Sequence, residues 1–176
     1  MTDLARIPNQ EDVLRIMPSG SAVIFRDYAL KERRAIAEGY RKICLERQIK
    51  FIVGNDVALA EKVDADGLHI PAFSKKRFSN ECWPHLLSMS CHNTDELKAA
   101  HEVGANFVLL SPAFATESHP GGQSLGPERF TEIAAGSPLP VFALGGITRH
   151  NAHLLAGPKT VGFAAIGAFT LENELK

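Results

Sequence analysis

Cysteine is scarce in this chain, and long apolar runs are missing. The three cysteines, Cys44, Cys82 and Cys91, are an odd number with no C-x-x-C pair, which weighs against a disulfide framework and fits buried or incidental thiols in a reducing compartment. No stretch approaches the roughly 18 uninterrupted apolar residues of a spanning helix. The first residues include Asp3, Glu11 and Asp12, with no apolar leader core. The expectation is a cytoplasmic protein with no membrane partner. Charge of one sign is also lacking: 19 Lys and Arg face 20 Asp and Glu, a formal net charge of −1. The basic clusters Lys75-Lys76-Arg77 and Arg33-Arg34 are brief and carry no interleaved aromatics, so they read as solvated faces and give no reason to propose nucleic acid. There is no low-complexity segment and no Pro/Gly/Ser linker, which predicts one domain over residues 1–176.

What the chain does have is a repeated alternation. Short apolar runs occur at Ala22–Phe25, Phe51–Val53, Gly67–Ile70, Leu86–Met89, Phe107–Leu110, Val141–Leu144 and Val161–Ile166, and each reads as a buried strand. Between them lie helix-period stretches. Leu30–Gln48 places Ile36, Tyr40, Ile43 and Cys44 on one face, and Thr94–Val103 is opened by Asn93 as an N-cap. Strand–helix alternation of this kind demands parallel pairing, in an open doubly wound sheet or a closed (β/α)8 TIM barrel. Polar and glycine residues follow nearly every run: Arg26-Asp27, Gly54-Asn55-Asp56, Ser90-Cys91-His92, Ser111-Pro112 and Gly145-Gly146. That distribution favours the barrel, which builds its site from all the carboxyl ends.

Several of these residues suit phosphate chemistry. Gly145-Gly146 follows a strand and precedes a helix candidate, so backbone amides can approach an anion there; a plain tight turn is the alternative. Ile166-Gly167 repeats the pattern one unit later. The segment Ser111–Gly122, with Thr116, Ser118 and His119, could fold over a phosphate as a lid or stand as a solvated loop. Ser90 and His92, two apart at a strand end, can face one side, where the imidazole is either a proton carrier or a structural histidine. His69, inside an apolar run, reads as a core residue. His150 and His153 have no further nearby ligand and indicate no zinc. Asp56 beside Asn55 could hold a divalent cation or cap a helix.

In series, Ala65-Asp66-Gly67-Leu68-His69-Ile70, Ser90-Cys91-His92, Ser111–Thr116 and Ala143-Leu144-Gly145-Gly146-Ile147 resemble the thiamine-phosphate synthase/TenI family, from about Ser21 to Phe169. The resemblance implies a (β/α)8 barrel that joins a pyrimidine pyrophosphate to a thiazole phosphate, with Mg2+. By position it implies Gly145, Gly146, Ile166 and Gly167 around the thiazole phosphate, with Thr116 and Ser118 from the lid. Arg26 would meet the pyrophosphate and Ser90 the pyrimidine, and His92 and His119 are left as acid/base groups. The chain departs from the family pattern where it carries Tyr28 and His119 in place of cations. Asn55 stands at one magnesium aspartate, and Pro71–Ser74 offers no acid at the other, which leaves Asp56 as a substitute ligand. Pro112 replaces a tautomerase histidine. The alternatives are a non-catalytic barrel binding a thiazole or thiamine phosphate, and a TenI-type tautomerase. Met1-Thr2-Asp3 matches the end of the family's first strand, so the barrel is expected with that strand missing or truncated and with a homodimer, or local distortion near Ser21–Arg26, as the remedy.

Overall fold

The computed structural model describes residues 1–77, 83, 85–116 and 122–166. They form two compact units: residues 1–71, 83, 85, 86 and 166 in one, and 72–77, 87–116 and 122–165 in the other.

In the first unit the apolar runs become parallel strands because both of their faces are covered. β1 (Ala22–Phe25) pairs in parallel with β2 (Lys50–Gly54), Val23 opposite Phe51. β2 pairs in the same sense with β3 (Gly67–Ile70), Val53 opposite Leu68. Phe51, Ile52 and Val53 are fully buried in succession, each contributing about 1.5–3 kcal/mol of apolar burial. Phe25 stacks on Phe51 at 6.1 Å and meets Tyr40 edge-on at 5.7 Å. Thr2 adds a backbone bond beside β1, from its amide to the Ile24 carbonyl at 2.9 Å.

Helix α1 (Gln10–Ile16) precedes β1, and α2 (Arg33–Arg47) joins β1 to β2. The buried stripe of α2 is Ala37, Tyr40, Ile43 and Cys44; Ile36, expected on that face, sits half-buried at its edge. The helix stops at Arg47 because Gln48 turns left-handed at φ 56°, and the Ile49 amide then returns to the Cys44 carbonyl at 2.8 Å. α3 (Val57–Lys62) leads to β3. There Asp66 clips three elements together, accepting from the Phe51 amide at 2.9 Å, Arg41 at 2.6 Å and Lys50 at 2.9 Å. Burial pulls its carboxyl upward, but these donors outweigh burial and hold it below the usual carboxylate range. The neighbouring Gly67 is required by close approach, since a Cβ there would lie 2.8 Å from the Leu86 carbonyl.

The second unit continues the pattern. β4 (Leu86–Cys91), β5 (Phe107–Leu110), β6 (Val141–Leu144) and β7 (Thr160–Ala164) pair in parallel in chain order. The chain is thus an α/β protein with seven parallel strands among the described residues. A 3-10 turn over Ala72–Arg77 precedes β4, α4 (Thr94–Glu102) joins β4 to β5, and α5 (Gly126–Ala135) joins β5 to β6. The helix expected after Gly145-Gly146 is instead one 3-10 turn, Ala152–Leu155. The Asn151 side chain is spent on the preceding turn, accepting from the Thr148 amide and donating to the Gly146 carbonyl. Gly157-Pro158 then prevents extension. His150 and His153 are both exposed there. Cys44 and Cys91 are free and buried, and burial pushes the Cys44 thiol up to about 12, which makes it inert. Cys82 lies outside the described residues.

Candidate functional site

The carboxyl ends of β4, β5 and β6 carry the polar residues of the second unit. Along β4, Ser88 and Ser90 alternate onto one side, Ser88 fully buried and Ser90 half-buried at the strand end. His92 follows at the mouth of α4. Asn93 caps that helix, accepting from the Glu96 amide at 2.9 Å, while the Glu96 carboxylate reaches back to the His92 amide at 2.6 Å. His92 Nδ1–H donates to the Ser111 carbonyl at 2.7 Å, with the Ser111 hydroxyl 3.4 Å from the same nitrogen. A carbonyl only accepts, so Nδ1 carries a proton, and it is the neutral form of the ring that presents the Nε2 lone pair. His92 can therefore accept a hydrogen bond or a proton at Nε2.

The loop after β5 folds back onto the end of β6. Ala113 N donates to the Leu144 carbonyl at 2.8 Å and Phe114 N to the Gly145 carbonyl at 3.0 Å. The Ser111-Pro112 peptide is cis. Gly146, at φ 62°, lies so close to this loop that a Cβ there would meet the Ala115 carbonyl oxygen at 2.2 Å. No other residue fits, and the approach brings the backbone next to Thr116 onto the glycine turn. The Gly146 and Ile147 amides carry no hydrogen bond to a described residue, which leaves the turn able to donate to an anion. The four-residue 3-10 turn that follows supplies no helix dipole of consequence, so the attraction there comes from hydrogen-bond donors.

In the first unit, charged groups gather at the ends of β1 and β2. Arg26, directly after β1, pairs with Asp3 at 3.1 Å, and its amide donates to Thr2 Oγ1 at 2.9 Å. Asp27 accepts from the Thr2 hydroxyl and from the Leu4 amide. Arg33, at the start of α2, donates from Nη1 to Asp56 Oδ2 at 2.6 Å and from Nη2 to the Gly54 carbonyl at 2.7 Å. Its guanidinium lies 5.1 Å from the Phe25 ring centroid and 5.6 Å from that of Tyr28. Burial raises the Tyr28 phenol's pKa, while the nearby charges of Arg26 and Arg33 oppose the rise. Sequence reasoning missed Arg33, reading it as part of a solvated basic pair.

These residues do not fit a magnesium ion. Asp56, the candidate metal ligand, spends Oδ1 as the N-cap of α3, accepting from the Leu59 amide at 3.0 Å, and Oδ2 on Arg33. Asn55 offers only a neutral amide, and the 3-10 turn that starts at Ala72 opens with no acid. Among the described residues no group of three or more His, Cys, Asp or Glu could hold a metal. Ile166 follows β7 by two residues and is half-buried. Ser118, His119 and Gly167 lie outside the described residues.

The family model "Thiamine monophosphate synthase" matches residues 6–169, and the chain belongs to that family. A thiamine-phosphate synthase of Geobacillus thermodenitrificans (strain NG80-2) is 30% identical over 177 aligned positions, covering 94% of this chain and 80% of the relative. A putative thiamine-phosphate synthase 2 of Aquifex aeolicus (strain VF5) is 34% identical over 141 positions, 79% of this chain and 72% of the relative. The solved thiamine phosphate pyrophosphorylase from Pyrococcus furiosus superposes with a TM-score of 0.78 at 22% identity, over 98% of this chain and 86% of that one, and so shares its fold.

Proposed function

We propose that this chain is a thiamine-phosphate synthase of barrel architecture, coupling a pyrimidine diphosphate to a thiazole phosphate. The observation that carries the reading is the Gly145-Gly146 turn, with two amides open and the Thr116 segment laid against it, in a chain of the thiamine monophosphate synthase family. The Gly145-Gly146 turn receives the thiazole phosphate through its open Gly146 and Ile147 amides, helped by Thr116, with Ser118, Ile166 and Gly167 assigned to the same phosphate by family position. Ser90 orients the pyrimidine ring, and Arg26 is assigned to the diphosphate.

The reaction breaks the bond between the pyrimidine methylene and diphosphate, which leaves with the electron pair. The thiazole nitrogen then forms the new C–N bond to the methylene carbon. The chain's contribution is to hold the two rings together and to offer fixed donors to charge as it develops. His92, with its proton fixed on Nδ1, accepts a hydrogen bond at Nε2 from substrate; His119 is assigned a like role by sequence alone.

Titration with thiazole phosphate tests the cradle. The parent binds, whereas Gly146→Ala, which must displace the Ala115 carbonyl and adopt a left-handed backbone, loses about tenfold or more in affinity. Circular dichroism confirms that the variant remains folded. Equal affinity in parent and variant would contradict the assignment. Binding without product formation would leave the non-catalytic phosphate-binding barrel as the reading.

A further inference from the structure

Arg33 has chemistry to spare. A guanidinium carries five N–H donors, and here one Nη1 donor goes to Asp56 and one Nη2 donor to the Gly54 carbonyl. Nε is fully buried and has no hydrogen-bond partner among the described residues. The side chain is 13% exposed, clamped between a carboxylate, a carbonyl and the Phe25 and Tyr28 rings. A cation so fixed is already oriented for an anion and loses little side-chain entropy on receiving one. Asp56, meanwhile, already has both carboxylate oxygens engaged, Oδ1 with the Leu59 amide and Oδ2 with Arg33, and among the described residues no second acid stands beside it to complete a metal site.

We propose that Arg33 takes the place of a divalent cation at the carboxyl end of β2, so that its guanidinium, held by Asp56 and Gly54, receives diphosphate without magnesium. Asp56 is then a positioning residue for Arg33 and binds no metal. The inference rests on the synthase reading above, and its test separates the two.

The probe is inorganic pyrophosphate, titrated calorimetrically into the full chain with magnesium and with EDTA, beside a parallel titration of thiazole phosphate. The expected result is pyrophosphate affinity that differs by less than about threefold between the two conditions. Arg33→Met weakens pyrophosphate by about tenfold or more and leaves thiazole phosphate binding unchanged. Should Arg33→Met not fold, Arg33→Lys, which keeps the charge and loses the fork, weakens pyrophosphate by about threefold or more. Asp56→Asn retains the helix cap and leaves the response to magnesium as it is in the parent.

A strengthening by magnesium of about threefold or more overturns the proposal, as does an Arg33 variant that binds pyrophosphate as the parent does. Thiazole phosphate binding with no pyrophosphate binding overturns it while leaving the synthase reading intact. Loss of both signals overturns the two together.

Discussion

His69 stands wholly buried in β3, and its ring pKa is driven down to about 3, first by burial and then by electrostatic interaction with the Met1 amino group and Arg26. It is a neutral imidazole under any physiological condition and no proton donor to substrate. The unfolded chain takes up this proton near pH 6.5, the folded one only near pH 3, so stability falls as pH drops through that window, by at most about 1.4 kcal/mol per pH unit. Urea unfolding of the parent and of His69→Leu at steps from pH 7 to pH 4 checks this. The variant's pH slope is shallower, and an equal slope in both proteins would contradict it. His92 contrasts with His69, being exposed with one ring nitrogen anchored, and nothing in the bare sequence separates the two. His69 reads as core because its neighbours are apolar. The His92 tautomer depends on the Ser111 carbonyl, 19 residues away. Arg33 was illegible for the same reason: its partners Gly54 and Asp56 lie 21 and 23 residues along the chain.

At the scale of elements, the apolar runs were legible because strands covered on both faces read as near-continuous apolar stretches. β1, β3, β5 and β6 begin and end where the runs do, and α4 carries the cap expected at Asn93. Helix ends were less so. α2 starts three residues later than its periodicity suggests and ends one earlier, because Gln48 adopts a left-handed conformation that composition does not mark. The 3-10 turn after β6 replaces an expected helix through a side-chain contact, Asn151 on Gly146, that periodicity cannot register. Within α2, Gly39 is an anomaly with a use: a Cβ there would meet nothing within 4 Å. Gly39→Ala removes the backbone-entropy cost of a mid-helix glycine and raises stability by about 0.5–1 kcal/mol. Chemical denaturation reads this as a higher midpoint at unchanged slope; a lower midpoint would show that the α2 backbone needs the glycine.

For the whole molecule, a net charge of −1 provides no long-range field to gather phosphorylated substrates. On the synthase reading proposed above, recognition falls to local donors: the open amides of the β6 glycine turn and the guanidiniums after β1 and at the head of α2. The alternation of strand and helix was plain in the sequence, and family membership accounts for the order of its motifs. The charge arrangement was not plain, because each guanidinium here finds its carboxylate across more than 20 residues. The central claim is that these donors serve a coupling reaction. The measurement that tests it most directly is thiamine phosphate and pyrophosphate release from purified chain supplied with the pyrimidine diphosphate and the thiazole phosphate. The expected result is the two products in equal amounts, with the rate lowered by about tenfold or more in Arg26→Ala. No thiamine phosphate under conditions where thiazole phosphate binds would contradict it.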